Sequence, residues 1–139
     1  MTVMRTTPTN GGPPCCRAVP ALKRSQSAKS KIFTYFYTHA LPGPDIDKYG
    51  AFHTSEVPYV FNSLTRSDRP FTDADRKLAD TISTYWANFA RSGDPNGKGL
   101  PQWPAASAAN ALTMELGDRL RPIPVAGAAG LDFFRAQQR

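Results

Sequence analysis

The most constraining feature of this 139-residue sequence is a long amphipathic segment at residues 71–97. Thr72 and Asp75 have the spacing of a capping box, which predicts that a helix begins there. The apolar residues that follow recur at intervals of three and four, so they share one helical face: they are Leu78, Ile82, Tyr85, Trp86 and Phe89. Gly93 predicts the end of the helix. Such a face must be buried against a sheet or another helix.

Other segments predict the elements that could cover this face. Residues 32–37 are nearly all β-branched or aromatic, and their weak alternation is typical of a strand covered on both faces in an α/β sheet. Residues 111–123 predict a short hairpin around Gly117-Asp118. Its apolar residues alternate along the first strand: Leu112, Met114 and Leu116. A short terminal helix is expected at residues 131–139.

The first thirty residues differ in composition from the rest. They contain no aromatic residue and are rich in Pro, Gly, Ser, Thr and Lys, which predicts a disordered basic segment at 1–30 ahead of one domain at 31–139. An unrelated reading frame fused ahead of the domain would account for this change. Cys15 and Cys16 are expected to be free thiols, because the side chains of adjacent cysteines point apart. No metal or cofactor is expected.

The net charge of +6 arises from the beginning of the chain. Residues 1–44 contain six Lys and Arg and no acidic residue, whereas residues 45–139 contain eleven basic and eleven acidic residues. A nucleic-acid surface places its cations on a structured face, so no specific nucleic-acid partner is expected. The apolar runs are also too short for a membrane span or a secretory signal. The cytoplasm is therefore the expected compartment by default.

Three motifs in order point to a family. They are GAFHTSEVPYVF at residues 50–61, YWANFARSGDPNG at 85–97, and the Trp-Pro pair at 103–104. Together they resemble the C-terminal end of type-B carboxylesterases, the group that includes para-nitrobenzyl esterases and cholinesterases. The resemblance implies an incomplete C-terminal piece of an α/β-hydrolase fold. Its parts would be a late sheet strand, a catalytic-histidine loop, the long helix, the hairpin and the terminal helix.

The resemblance also implies roles for individual residues. His53 matches the catalytic histidine, which takes a proton from the serine hydroxyl and returns it to the leaving alcohol. A histidine that is simply hydrogen-bonded in a packed loop is the alternative interpretation. Glu56 is implied to be a structural residue that binds local backbone, not the triad acid. Nothing marks His39 as more than a surface or packing residue.

The rest of the family's catalytic machinery has no counterpart in these 139 residues. None of the nine serines is flanked as G-x-S-x-G, and neither the oxyanion-hole motif nor the upstream acid is present. The leading hypothesis is a carboxylic ester hydrolase fragment that supplies the triad histidine and is inactive alone, because the other catalytic groups are missing. It is also expected to be marginally stable alone, because its apolar face lacks partners. Two alternatives are a non-catalytic binding or assembly module that complements a separately encoded N-terminal esterase portion, and a small independent hydrolase that uses a local serine.

Overall fold

The computed structural model describes residues 4–6, 27, 30–107 and 109–125. Its elements are, in chain order, strands β1 (Met4–Thr6) and β2 (Thr34–Tyr37), helices α1 (Ile46–Tyr49) and α2 (Val57–Val60), a 3-10 turn (Leu64–Arg66), helix α3 (Asp73–Ser92), and strands β3 (Leu112–Leu116) and β4 (Leu120–Pro124). The predicted terminal helix at 131–139 and the cysteine pair at 15–16 lie outside the described residues.

The four described strands form one mixed sheet in the order β1-β2-β3-β4. β2 is parallel to both of its neighbours, and Tyr35 lies opposite Met114. Parallel neighbours need a long crossover, and the chain between β2 and β3 contains all of the described helices. β3 and β4 form the predicted antiparallel hairpin, with Leu116 opposite Leu120.

β1 is an element that the sequence does not predict. Met4–Thr6 pair in parallel with residues 34–36 through backbone hydrogen bonds. Without β1, one edge of β2 would have unpaired backbone groups, which can bind any extended segment. The added strand therefore does not need alternating apolar residues, and its sequence does not indicate the pairing. The division of the chain into a disordered segment at 1–30 and a domain at 31–139 stays a prediction.

Strand β2 is covered on both faces, as its composition predicts. Thr34, Tyr35 and Tyr37 are all buried, although neighbouring side chains on a strand point to opposite faces. The strand begins two residues later than predicted, but Ile32 and Phe33 ahead of it are buried as well. β2 is therefore a central strand of the core.

Helix α3 has the predicted ends and the predicted buried face. The Thr72–Asp75 capping box is present, and Gly93 ends the helix in the left-handed conformation with φ 75°. Along the predicted apolar face, three residues are buried and two are half-buried against the core: Leu78, Ile82 and Tyr85, then Trp86 and Phe89. Within the described ranges, no helix is both long and apolar enough to cross a membrane.

An aromatic cluster centred on Trp103 joins α3 to β2. The Trp103 side chain is buried, and its indole nitrogen donates a hydrogen bond to the Thr34 carbonyl at 3.1 Å. Four aromatic rings lie 5.2 to 6.3 Å from it: Phe33 and Tyr35 from the strand side, and Tyr85 and Trp86 from the helix. The Trp-Pro motif therefore marks a packing centre between the two layers.

Replacing Thr72 with alanine is expected to lower the free energy of unfolding by about 1–2 kcal/mol. The Thr72 hydroxyl accepts a hydrogen bond from the Asp75 amide at 3.3 Å and donates one to the Asp75 carboxylate at 2.6 Å. Urea unfolding followed by far-UV circular dichroism measures the loss. Thr84→Ala is the control, because its exposed hydroxyl donates only to the Asp80 carbonyl in the same helix. A loss as large in Thr84→Ala would contradict the capping role.

Candidate active site

His53 lies on a tight turn between α1 and α2. The backbone amide and the hydroxyl of Ser55 both donate to the Phe52 carbonyl, at 3.1 and 2.7 Å. Thr54 has a φ of 78°, a conformation that is rare for a β-branched residue and is held by the surrounding structure. Ser55 is fully buried, whereas His53 is exposed. The turn therefore presents the imidazole to solvent on an internally bonded support.

Glu56 links this turn to the central strand. Its side chain is only 5% exposed, and its Oε1 accepts a hydrogen bond from the Tyr35 hydroxyl at 3.4 Å. It precedes α2 but makes no side-chain capping bond to that helix. Glu56 thus makes a contact with a side chain of β2, and its role as a structural residue and not the triad acid stays a prediction.

His39 is more than a packing residue. Its Nε2 lies 2.8 Å from Asp75 Oδ1 and its Nδ1 lies 2.7 Å from Asp118 Oδ1. Because ionised carboxylates only accept hydrogen bonds, a ring that carries a proton on both nitrogens satisfies both contacts. The partners are 36 and 79 positions away in the sequence, so no local pattern indicates this arrangement.

The hairpin turn is held close enough to β2 to make the Asp118 contact. Gly117 is buried, and a Cβ at this position would overlap the Thr38 hydroxyl. The Thr38 amide also donates to the Leu116 carbonyl at 2.9 Å. A glycine is therefore required here for the close approach of the two segments, and the next residue is Asp118.

Asp75 is a buried carboxylate with hydrogen bonds on both oxygens. Its Oδ2 accepts from the Thr72 amide and hydroxyl at 2.7 and 2.6 Å, and its Oδ1 accepts from the Tyr59 hydroxyl at 2.6 Å. Burial opposes ionisation, but the hydrogen bonds from Thr72, Tyr59 and His39 outweigh it and hold the pKa of Asp75 well below its usual range. Burial, together with the bond to Asp75, raises the pKa of Tyr59, so the hydroxyl stays a donor.

An apolar cleft of about 280 Å³ lies beside the turn. Phe52, the residue directly before His53, is part of its wall. The wall is mostly apolar, with two charged residues: Leu41, Ile46, Tyr49, Gly50 and Phe52, with Asp45 and Arg69. A cleft of this kind suits an apolar group better than a charged one.

The serine nearest to His53 in the sequence uses its hydroxyl within the turn itself. Ser55, the nearest serine in sequence, is buried and directs its hydroxyl to the Phe52 carbonyl. Among the residues that the structure describes, no group of three or more His, Cys, Asp or Glu side chains is arranged to hold a metal ion. What the site offers chemically is therefore an exposed histidine that directly follows Phe52, a residue of the apolar cleft's wall.

Curated proteins similar to this chain carry the names of esterases and hydrolases. Human cocaine esterase is 36% identical over 92 residues, which cover 62% of this chain and 16% of the human protein. Rat acylcarnitine hydrolase is 38% identical over 95 residues, again 62% of this chain and 16% of the relative. The chain thus spans about a sixth of the length of these curated relatives.

A solved esterase structure has a similar fold. A thermophilic para-nitrobenzyl esterase superimposes with a TM-score of 0.64 at 25% identity, over 75% of this chain and 22% of that esterase. The described sheet and helices are therefore a partial α/β-hydrolase fold, and the predicted fold class is confirmed. The sequence model of the carboxylesterase family matches residues 15–128, most of the 139 residues. This chain belongs to the carboxylesterase family.

Proposed function

We propose that this chain supplies the general base, His53, of a carboxylic ester hydrolase whose nucleophile, triad acid and oxyanion hole come from another stretch of polypeptide. The observation that carries the proposal is the position of His53 in the family motif, exposed on a turn that is bonded internally through Ser55. The apolar cleft supports it, because a substrate's apolar group can bind there and Phe52 in its wall is the residue directly before His53.

The role of His53 in this proposal is proton transfer. The imidazole accepts the proton of the attacking serine hydroxyl as its oxygen bonds to the ester carbonyl carbon, and then donates that proton to the leaving alcohol. Water then attacks the acyl carbon and gives its proton to the same nitrogen, and the imidazole returns that proton to the serine oxygen as its bond to the acyl carbon breaks and the acid leaves. Histidine suits this work because its side chain gains and loses a proton near neutral pH.

The chain alone is proposed to be inactive. No serine in its 139 residues lies in G-x-S-x-G, and loss of the nucleophile or the base of a serine hydrolase lowers kcat by about 10⁶. An oxyanion-hole donor contributes a further factor of about 10²–10³. The imidazole by itself replaces neither contribution.

A second candidate function is a non-catalytic assembly module that binds an N-terminal esterase portion. The observation that favours it is a set of exposed apolar side chains on the segments around the turn, of which Phe61 is 74% exposed and Tyr49 is 54% exposed. A monomer that stays separate rarely leaves neighbouring large apolar side chains in water.

Complementation tests both candidates. The chain is mixed with the N-terminal portion of a related esterase that contains G-x-S-x-G and ends before the matching region. Hydrolysis of a short-chain aryl ester should appear in the mixture and in neither part alone. Binding without hydrolysis would favour the assembly module. Labelling of the isolated chain by a fluorophosphonate, which reacts with activated serines, would contradict the proposal and indicate an independent hydrolase.

A further inference from the structure

We propose that Asp75 is a positioning residue for the His53 turn, and that it acts through the hydroxyl of Tyr59. The catalytic meaning of this inference rests on the proposed function, but the structural link itself does not. Asp75 lies in the first turn of α3 and Tyr59 lies in α2, directly after the turn. Their hydrogen bond of 2.6 Å joins the two helices in the buried core.

Tyr59 is connected to His53 by a short and continuous set of backbone bonds. The Val57 amide donates to the Thr54 carbonyl at 3.0 Å, and the Tyr59 amide donates to the Glu56 carbonyl at 3.0 Å. With the Ser55 bonds to Phe52, these contacts make the turn and α2 one unit. A displacement of Tyr59 is therefore expected to move the turn that carries the imidazole.

This unit is fastened to the rest of the fold on two sides. Glu56 holds it to β2 through the Tyr35 hydroxyl at 3.4 Å. Asp75 holds it to α3 through Tyr59 at the shorter distance of 2.6 Å, with an ionised acceptor. A hydrogen bond between a hydroxyl and an oxygen acceptor is normally about 2.5–3.0 Å long, so the Asp75 contact is the tighter of the two.

The two oxygens of Asp75 have separate tasks. Oδ2 completes the capping box with Thr72, which is sufficient to begin the helix. Oδ1 is left for Tyr59 and His39, and so serves a contact between elements. His39 stands between this carboxylate and Asp118, with one ring nitrogen within hydrogen-bonding distance of each. The carboxylate is thus fixed on three sides and gives Tyr59 a rigid acceptor.

Hydrogen exchange of the full chain tests the link, with Tyr59→Phe as the variant and Tyr85→Phe as the matched control. Both tyrosines are fully buried, and each donates one hydrogen bond of 2.6 Å, Tyr59 to Asp75 and Tyr85 to the Pro101 carbonyl. Each change removes one hydroxyl and keeps the ring. Exchange at the Ser55 and Val57 amides is expected to become about tenfold faster in Tyr59→Phe, and to change less than about twofold in Tyr85→Phe.

A second pair of variants separates the link from the negative charge of the first turn of α3. Asp75→Asn is expected to speed exchange at the same turn amides, whereas Asp73→Asn is not. Asp73 lies in the same first turn of α3, but its side chain is 92% exposed and contacts Arg76. Equal exchange at the turn in Tyr59→Phe and Tyr85→Phe would overturn the proposal, as would equal exchange in Asp75→Asn and Asp73→Asn.

The complemented esterase gives the catalytic readout. Tyr59→Phe should lower kcat about tenfold and leave KM within about twofold, because a loosened base affects the transition state more than substrate binding. Faster exchange at the turn with no esterase activity in any mixture would leave the link in place and reject the proposed function. Esterase activity that depends on His53, together with unchanged exchange at the turn amides, would support the proposed function and reject the link between Asp75 and the turn.

Discussion

Replacing His53 with alanine in the complemented esterase is expected to lower kcat for a short-chain aryl ester by about 10⁴- to 10⁶-fold. The change removes the group that accepts and returns the proton, and the nucleophile's hydroxyl then has no base within reach. Because the His53 side chain is exposed on its turn, the change should have little effect on folding. Initial rates and unfolding curves of the same samples measure the two effects separately.

His39→Gln is the informative comparison, since His39 is the chain's other histidine. It removes an imidazole that contacts Asp75 and Asp118, so its main effect should be on stability. The loss in kcat is expected to stay within about tenfold, through a less firmly held Asp75. Free imidazole should restore part of the activity of His53→Ala, because that site is open to solvent, and none of that lost in His39→Gln. Activity that survives His53→Ala would reject the assignment of the base.

The parts of the fold that the sequence predicts are those set by neighbouring residues. α3 is predicted at both ends because Thr72 and Asp75 are three positions apart and Gly93 can adopt a positive φ. The hairpin is likewise predicted from a local pattern, because Gly117-Asp118 separates two short segments and apolar residues alternate along the first of them. These are interactions over a few residues, and their residue types have strong preferences.

The parts that the sequence does not predict depend on contacts between distant segments. Trp103 is the centre of the aromatic cluster, but a tryptophan followed by proline does not indicate which strand and helix it will join. The pairing of β1 with β2 is similar, because it uses backbone groups and leaves no side-chain pattern. Tertiary packing decides these contacts, and a linear pattern does not record it.

The candidate site also has one part that the sequence predicts and one part that it does not. The motif around His53 is local and is sufficient to single out the imidazole, whereas the Tyr59–Asp75–His39 contacts bring together three segments. One sign of these contacts exists in the sequence. The capping box uses one oxygen of Asp75. If the side chain is buried, its second oxygen needs a hydrogen-bond donor from another segment.

Replacing Trp103 with alanine is expected to lower the free energy of unfolding by about 3–5 kcal/mol. The side chain is 2% exposed, contacts aromatic rings of both β2 and α3, and donates a hydrogen bond to the Thr34 carbonyl. Its loss leaves a cavity between the layers and removes one hydrogen bond to a backbone carbonyl of the central strand. Urea unfolding followed by far-UV circular dichroism measures the effect, because α3 is the longest of the described helices and tryptophan fluorescence changes with the substitution itself.

Two control variants separate packing from aromatic content. Tyr49→Ala removes an aromatic ring that is 54% exposed, and it should cost less than about 1 kcal/mol. Trp103→Phe keeps a ring in the cluster and loses only the indole bond and part of the volume, so its cost should lie between those of the two alanine variants. Domains are stable by only about 5–15 kcal/mol, and this chain leaves Phe61 74% exposed. A loss of about 3–5 kcal/mol in Trp103→Ala is therefore a large part of the total stability, whereas a loss no larger than that of Tyr49→Ala would show that the two layers do not depend on Trp103.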